Sequence, residues 1–207
     1  MSDINAVIFD IGNVLIEWQP ERFYDRVIGA DRRKAMFAAI DLHGINDQVD
    51  RGHGFRETIH AAADAHPDWR DEVLMWHDNW LDMATPTIDH SVRLLRGLRA
   101  ADMPVFALSN FGIQPFAIAE PVYPFLGEFD RRYISGHMGE VKPEPRIYEM
   151  VEQDCGLAPE TLLFVDDRRE NLDTAATRGW QTHLFDGPQG WADRLVREGL
   201  LSPEAAQ

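Results

Sequence analysis

Four stretches of this chain end in side chains suited to phosphate or acid–base chemistry: Asp10, the pair Ser109-Asn110, Lys142, and the pair Asp166-Asp167. Asp is common in turns and Ser-Asn is common anywhere, so none of them marks a site alone. Their order does, because each follows an apolar run, weak only in the case of Lys142. Carboxylates that converge at one mouth cannot all ionise unless a cation offsets their repulsion. Mg²⁺ suits that role, since it takes oxygen ligands and completes its shell with waters and a substrate phosphate, so few carboxylates suffice. Asp10 and Asp167 are the predicted ligands. With its charge screened, Asp10 can attack a phosphoryl group and form an aspartyl phosphate that water hydrolyses. The predicted phosphate holders are Lys142, the Ser109 hydroxyl, the Asn110 amide and nearby backbone N–H groups.

The elements that must position these residues can be read from periodicity. Residues 6–9, 105–108, 162–165 and 182–185 are continuous apolar or β-branched runs, as strands buried on both faces would be, and Tyr133-Ile134 is a weaker candidate. Between them lie helical patterns. Pro145 opens one, lined by Ile147, Met150, Val151 and Cys155 and closed by Gly156; Leu172, Ala175 and Ala176, stopped by Gly179, form another. Such alternation predicts an α/β fold with a doubly wound parallel sheet, whose ligands bind beyond the carboxyl ends of the strands.

Residues 19–85 break the pattern with helical periodicity and no convincing strand. The predicted organisation is a core of residues 1–18 and 86–207 with an inserted α-helical subdomain, 19–85. In its last helix Trp69, Val73, Trp76, Trp80 and Met83 form one stripe, read as subdomain core in preference to a sugar-stacking platform.

A hydrophobic content of 44% excludes a disordered chain. Lys plus Arg number 20 against 35 for Asp plus Glu, a net charge of −15 that repels polyanions, so no nucleic-acid partner is expected. The single cysteine, Cys155, excludes an internal disulfide. With no leader pattern and no apolar run of about 18 residues, the expectation is a cytoplasmic protein without a membrane partner. His60 and Asp64 stand four apart without a zinc motif around them, and Asp31-Arg32-Arg33-Lys34 reads as a solvated helix start.

The motifs resemble those of the haloacid dehalogenase (HAD) superfamily: Val7-Ile8-Phe9-Asp10-Ile11-Gly12-Asn13-Val14-Leu15, Leu108-Ser109-Asn110, Val141-Lys142-Pro143-Glu144-Pro145, and Phe164-Val165-Asp166-Asp167. The resemblance implies a Rossmann-like core with an α-helical cap that closes over the substrate on hinges near residues 18–20 and 84–86. It also implies Asp10 as nucleophile and metal ligand, Asp167 as ligand, Asp166 as a supporting carboxylate of the metal group, and the backbone carbonyl of Gly12 as a further ligand. Ser109, Asn110 and Lys142 would bind phosphate.

Most phosphatases of the superfamily carry a general acid at the position of Gly12. Its loss removes help of about 10² to 10⁴ in rate and favours leaving groups that need little protonation. Glu17 and His53 are the candidate replacements, and Trp18 and His53 the candidate substrate contacts. The Phe-Asp-Ile-Gly-Asn-Val-Leu form also resembles a branch that includes sugar-1-phosphate phosphatases.

The expected function is therefore a Mg²⁺-dependent phosphomonoester hydrolase acting on a small, sugar-like phosphate. One alternative is a 2-haloacid dehalogenase, against which the unpaired carboxylates of Asp166-Asp167 argue. The other is a phosphate-binding or regulatory protein without turnover, which the fold alone does not exclude.

Overall fold

The computed structural model describes residues 4–207. Its strands are β1 (Ala6–Phe9), β2 (Ile16–Trp18), β3 (Ala84–Thr87), β4 (Val105–Ser109), β5 (Arg131–Ile134), β6 (Leu162–Asp166) and β7 (Gln181–Leu184). Five form one parallel sheet in the order β5-β4-β1-β6-β7. Every residue of β1, β4 and β6 is buried, as expected for strands covered on both faces.

The alternation of side chains along a strand sorts these residues onto two faces. Val7, Phe9, Val105, Ala107, Leu163 and Val165 enter one apolar cluster, while Ala6, Ile8, Phe106, Leu108, Leu162 and Phe164 enter another. In chain order the helices are α1 (Pro20–Ile28), α2 (Ala30–Ala39), α3 (Leu42–Asp50), α4 (Phe55–Ala65), α5 (Arg70–Asp78), α6 (Trp80–Met83), α7 (Asp89–Ala100), α8 (Ile113–Ala119), α9 (Ser135–Met138), α10 (Pro145–Cys155), α11 (Arg169–Thr177) and α12 (Pro188–Arg197). Helices α7 and α12 cover the first face through Leu94, Leu98, Trp191 and Leu195. Tyr148, Val151, Leu172 and Ala175 of α10 and α11 cover the second. Pro145 opens α10, and Gly156, in the left-handed region at φ 68°, ends it.

Three expectations need correction. Residues 182–185 do not form a strand buried on both faces: β7 spans Gln181–Leu184 and is half-buried along its length because it lies at the sheet edge. Lys142 does not follow a strand directly, since α9 intervenes after β5. The tryptophan stripe is not one helix: α5 ends before Asn79, α6 begins after it, and Trp69 belongs to a preceding 3₁₀ turn, Pro67–Trp69. Val73, Trp76, Trp80 and Met83 are nonetheless buried.

An unexpected antiparallel ribbon, β2 with β3, brackets α1–α6. Gln19 N–H donates to Met83 O and Ile88 N–H to Leu15 O, both at 2.8 Å, so the chain leaves and re-enters the sheet region side by side. Within the insertion Trp76 is fully buried, with the rings of Trp18, Tyr24, Phe37 and His43 around it at centroid distances of 5.7 to 6.4 Å.

Candidate active site

The chain passes from β1 outward to β4 and β5, then returns across β1 to begin β6, and an α/β sheet opens a crevice where its strand order reverses in this way. The carboxyl ends of β4, β1 and β6 face a cavity of about 480 Å³. Asp10 follows β1, Ser109 ends β4 with Asn110 next, and Asp166 ends β6 with Asp167 next. All but Asp166 line the cavity, as does Lys142.

Lys142 is brought there by Asn110. The Asn110 Oδ1 accepts from Lys142 N–H and its Nδ2 donates to Lys142 O, both at 2.8 Å. The Asn110 side chain thus grips the main chain of Lys142, which differs from the phosphate contact expected of its amide. Asn110→Ala leaves both main-chain groups without partners and is expected to cost about 1–3 kcal/mol in denaturant unfolding.

Asp10 accepts three hydrogen bonds or ion contacts on one oxygen. Ile11 N–H and Ser109 Oγ each lie 2.7 Å from Oδ1, and Lys142 Nζ lies 3.0 Å away. Oδ2 has no hydrogen-bond partner among the described residues. Burial raises the Asp10 pKa above the usual carboxylate range; Lys142 opposes this, while Asp166 and Asp167 add to it. Lys142, with 3% of its surface exposed, also lies 2.6 Å from Asp166 Oδ2. Burial works against its charge, but Asp10 and Asp166 outweigh that and carry its pKa above the ordinary lysine value.

Asp10, Asp166 and Asp167 each offer one oxygen within 4.8 Å of the others, a hard-oxygen set suited to a hard divalent cation. Asp166 is the most committed of the three: besides Lys142 it accepts from Arg168 N–H at 2.8 Å and from Asn171 Nδ2 at 2.9 and 3.0 Å. Asp167 is freer, taking Asn13 Nδ2 at 3.1 Å. Burial, then Asp166, raises its pKa against the pull of Asn13 and Lys142. The Gly12 carbonyl accepts no hydrogen bond from the described residues, and a Cβ at Gly12 would meet nothing within 4 Å. The donor set therefore fits a metal whose remaining ligands come from water and substrate.

The opposite wall belongs to the helical insertion. His43, Asn46, Asp47 and Asp50 line it at steps of three, one and three, one face of α3, with Trp18, Glu21 and Trp80 beside them. Neither candidate for the missing acid is among the lining residues: Glu17 pairs with Arg22 on the ribbon, and His53 is exposed in the loop before α4. Of the two predicted substrate contacts, Trp18 lines the cavity and His53 does not.

Sequence reasoning passed over Asn13, which sits at φ 55°, bonds Asp167, and accepts Trp18 N–H on its Oδ1 at 3.0 Å. It also passed over Asp50, although the polar stripe 43, 46, 47, 50 was there to be read.

Sheet order, an inserted helical segment and this set of side chains together mark a hydrolase of the doubly wound α/β class. Residues 4–179 match the haloacid dehalogenase-like hydrolase family, and the chain belongs to it. It is similar to the D-ribitol-5-phosphate phosphatase of Bacteroides thetaiotaomicron, with 22% identity over 93% of this chain and 97% of that protein. Its identity to the N-acetylmuramic acid 6-phosphate phosphatase of Pseudomonas aeruginosa is 24%, over 93% and 90% of the two chains. A crystal structure of a HAD family enzyme from B. thetaiotaomicron, in complex with magnesium and inorganic phosphate, shares the fold with a TM-score of 0.70 at 24% identity, covering 89% of this chain and 95% of that one. Among the described residues no helix is long and apolar enough to cross a membrane.

Proposed function

We propose that this protein is a magnesium-dependent phosphomonoester hydrolase that acts on a small, sugar-like phosphate through an aspartyl-phosphate intermediate. The observation that carries the reading is the state of Asp10: three donors converge on Oδ1 beside a buried lysine, and Oδ2 has no hydrogen-bond partner among the described residues. A carboxylate so held is fixed in orientation and keeps one oxygen for attack. The names of the two phosphatase relatives and the magnesium and phosphate in the related crystal structure support the same chemistry.

Asp10 and Asp167, with the Gly12 carbonyl, would hold the magnesium ion, which when bound supplies charge screening for an incoming phosphate dianion. Ser109 and Lys142 bind the phosphate oxygens, and Lys142 neutralises charge as the Asp10 oxygen approaches phosphorus. Asp166 holds Lys142 at its post and Asn13 holds Asp167. Residues 19–85 serve as a cap over the core of residues 1–18 and 86–207, hinged at the ribbon, and exclude water during transfer.

The wall opposite the sheet is lined by Trp80, His43, Asn46 and the acids Glu21, Asp47 and Asp50 of the cap, with Trp18 at the hinge. Those rings and acids suit a hydroxylated, uncharged leaving group on this side, the lining cations Lys142 and Arg168 both lying on the core side.

The test is a panel of phosphomonoesters with magnesium and with a chelator. Magnesium-dependent phosphate release, strongest on polyol or sugar phosphates, is the expected result. Halide release from a 2-haloacid in chelator, with no phosphate release under any condition, would show a dehalogenase instead.

A further inference from the structure

The acid absent at Gly12 has a structural counterpart on the far side of the cavity, and we infer that Asp50 is the general acid and base of the reaction. This rests on the phosphatase reading above and adds to it the identity of the proton donor.

Asp50 belongs to the cap segment by sequence, yet it is fastened to the core. Its carbonyl accepts from Ser135 Oγ at 2.6 Å, and Ser135 in turn accepts from Phe111 N–H at 2.8 Å. Two glycines allow this approach. A Cβ on Gly112 would lie 2.5 Å from Val49 Cγ1, and one on Gly52 would lie 2.7 Å from Gly136 O. The end of α3 thereby presses on the loop after β4, the same loop that begins with Ser109 and Asn110.

The side chain is set as well. Asn46 Nδ2 donates to Asp50 Oδ2 at 3.0 Å, and Asn46 Oδ1 is pinned by Trp76 Nε1 at 3.0 Å. A buried tryptophan thus orients an amide that orients the carboxyl at the cavity wall.

Location matches role. Phosphoryl transfer runs in line, with attacking and leaving oxygens on opposite sides of phosphorus. Asp10 attacks from the sheet side, so the leaving oxygen faces the cap, where Asp50 lines the wall.

Protonation matches too. Burial and Asp47, one turn back on the same helix, raise the Asp50 pKa to about 7; the Gly112 backbone amide and Asn46 pull it down, and Asp10 adds a smaller upward push. Its place at the carboxyl end of α3 disfavours the anion further. The group therefore carries a proton on a substantial fraction of molecules at neutral pH, as a general acid requires.

In the first step an Asp10 oxygen bonds to phosphorus, the bond from phosphorus to the leaving oxygen breaks, and that oxygen takes the Asp50 proton. In the second, water bonds to phosphorus and gives its proton to the Asp50 carboxylate as the bond from phosphorus to the Asp10 oxygen breaks. Both acids return to their starting states.

The experiment compares Asp50→Asn with wild type on the best alkyl phosphate of the panel and on para-nitrophenyl phosphate, whose leaving group needs no proton. A loss of about 10²- to 10⁴-fold in kcat/KM on the alkyl ester, against less than about tenfold on the aryl ester, is expected. A burst of para-nitrophenol followed by slow turnover accompanies it, because the intermediate forms but its hydrolysis lacks a base. Equal losses on the two esters, or none on the alkyl one, would overturn the inference while leaving the phosphatase reading intact. Absence of magnesium-dependent turnover in wild type would remove the reading itself. Should Asp50→Asn not fold, Asp50→Ala with added formate serves: recovery of alkyl phosphate turnover with formate supports Asp50, and no recovery in a folded variant refutes it.

Discussion

Asp10→Asn is expected to slow phosphomonoester hydrolysis by roughly 10⁵-fold or more while the protein stays folded. Asparagine keeps an oxygen where Oδ1 stands, so Ile11 N–H, Ser109 Oγ and Lys142 Nζ retain their acceptor. Lys142 also retains Asp166 at 2.6 Å, so its buried charge is not stranded. What is lost is the second carboxylate oxygen and the negative charge, hence, on the proposed mechanism, both the nucleophile and one arm of the metal group. Release of para-nitrophenol at saturating magnesium measures the rate, and mass spectrometry of acid-quenched enzyme detects a phosphorylated wild type beside an unmodified variant. A variant that hydrolyses the ester at the wild-type rate would place the nucleophile elsewhere.

The core strands were legible because their burial is local in origin. Residues 6–9 and 162–165 are apolar without interruption, and a central strand covered on both faces has no other composition open to it. At an edge the same rule misleads: β7 needs only one covered face, and β5 spends its first two positions on the exposed Arg131 and Arg132. The β2–β3 ribbon could not be read from so few residues, one of them Pro86. Its pairing brings Ile16 to Thr87 and Trp18 to Ala84, residues far apart in the chain that meet where the insertion leaves and returns.

The site divides along the same line. Asp10, Ser109, Asp166 and Asp167 could be located from sequence because strand ends in a doubly wound sheet share one mouth. The work of Asn110 could not, since its bonds run to the main chain of Lys142, 32 residues on. Nor could Asp50. In a chain with 35 acidic residues, an aspartate at a helix end reads as solvated surface. Its place beside the site goes with Val49 meeting Gly112 and Ser135 holding its carbonyl, contacts that exist only once the helical insertion packs on the core.

Lys142→Met tests the charge balance on which this site is built. Methionine has nearly the shape of the lysine stem, so packing beside Phe164 is largely kept, whereas the ammonium between Asp10 and Asp166 is removed. Asp166 is fully buried and Asp10 is 7% exposed, so both carboxylates are left without their cation in a poorly solvated place. Breaking a buried pair in this way costs about 3–5 kcal/mol, more than most single substitutions, and denaturant unfolding in chelator is expected to show it. Magnesium is expected to restore part of the loss, because the uncompensated carboxylates attract the ion more strongly and binding to the folded state alone stabilises by mass action. Turnover is not expected to return with it: on the proposed mechanism the phosphate dianion loses its fixed positive partner with Lys142, and a fall of about 10³-fold is expected even at saturating magnesium. A variant within about 0.5 kcal/mol of wild type in chelator would mean that Asp10 and Asp166 do not depend on this lysine for their charge.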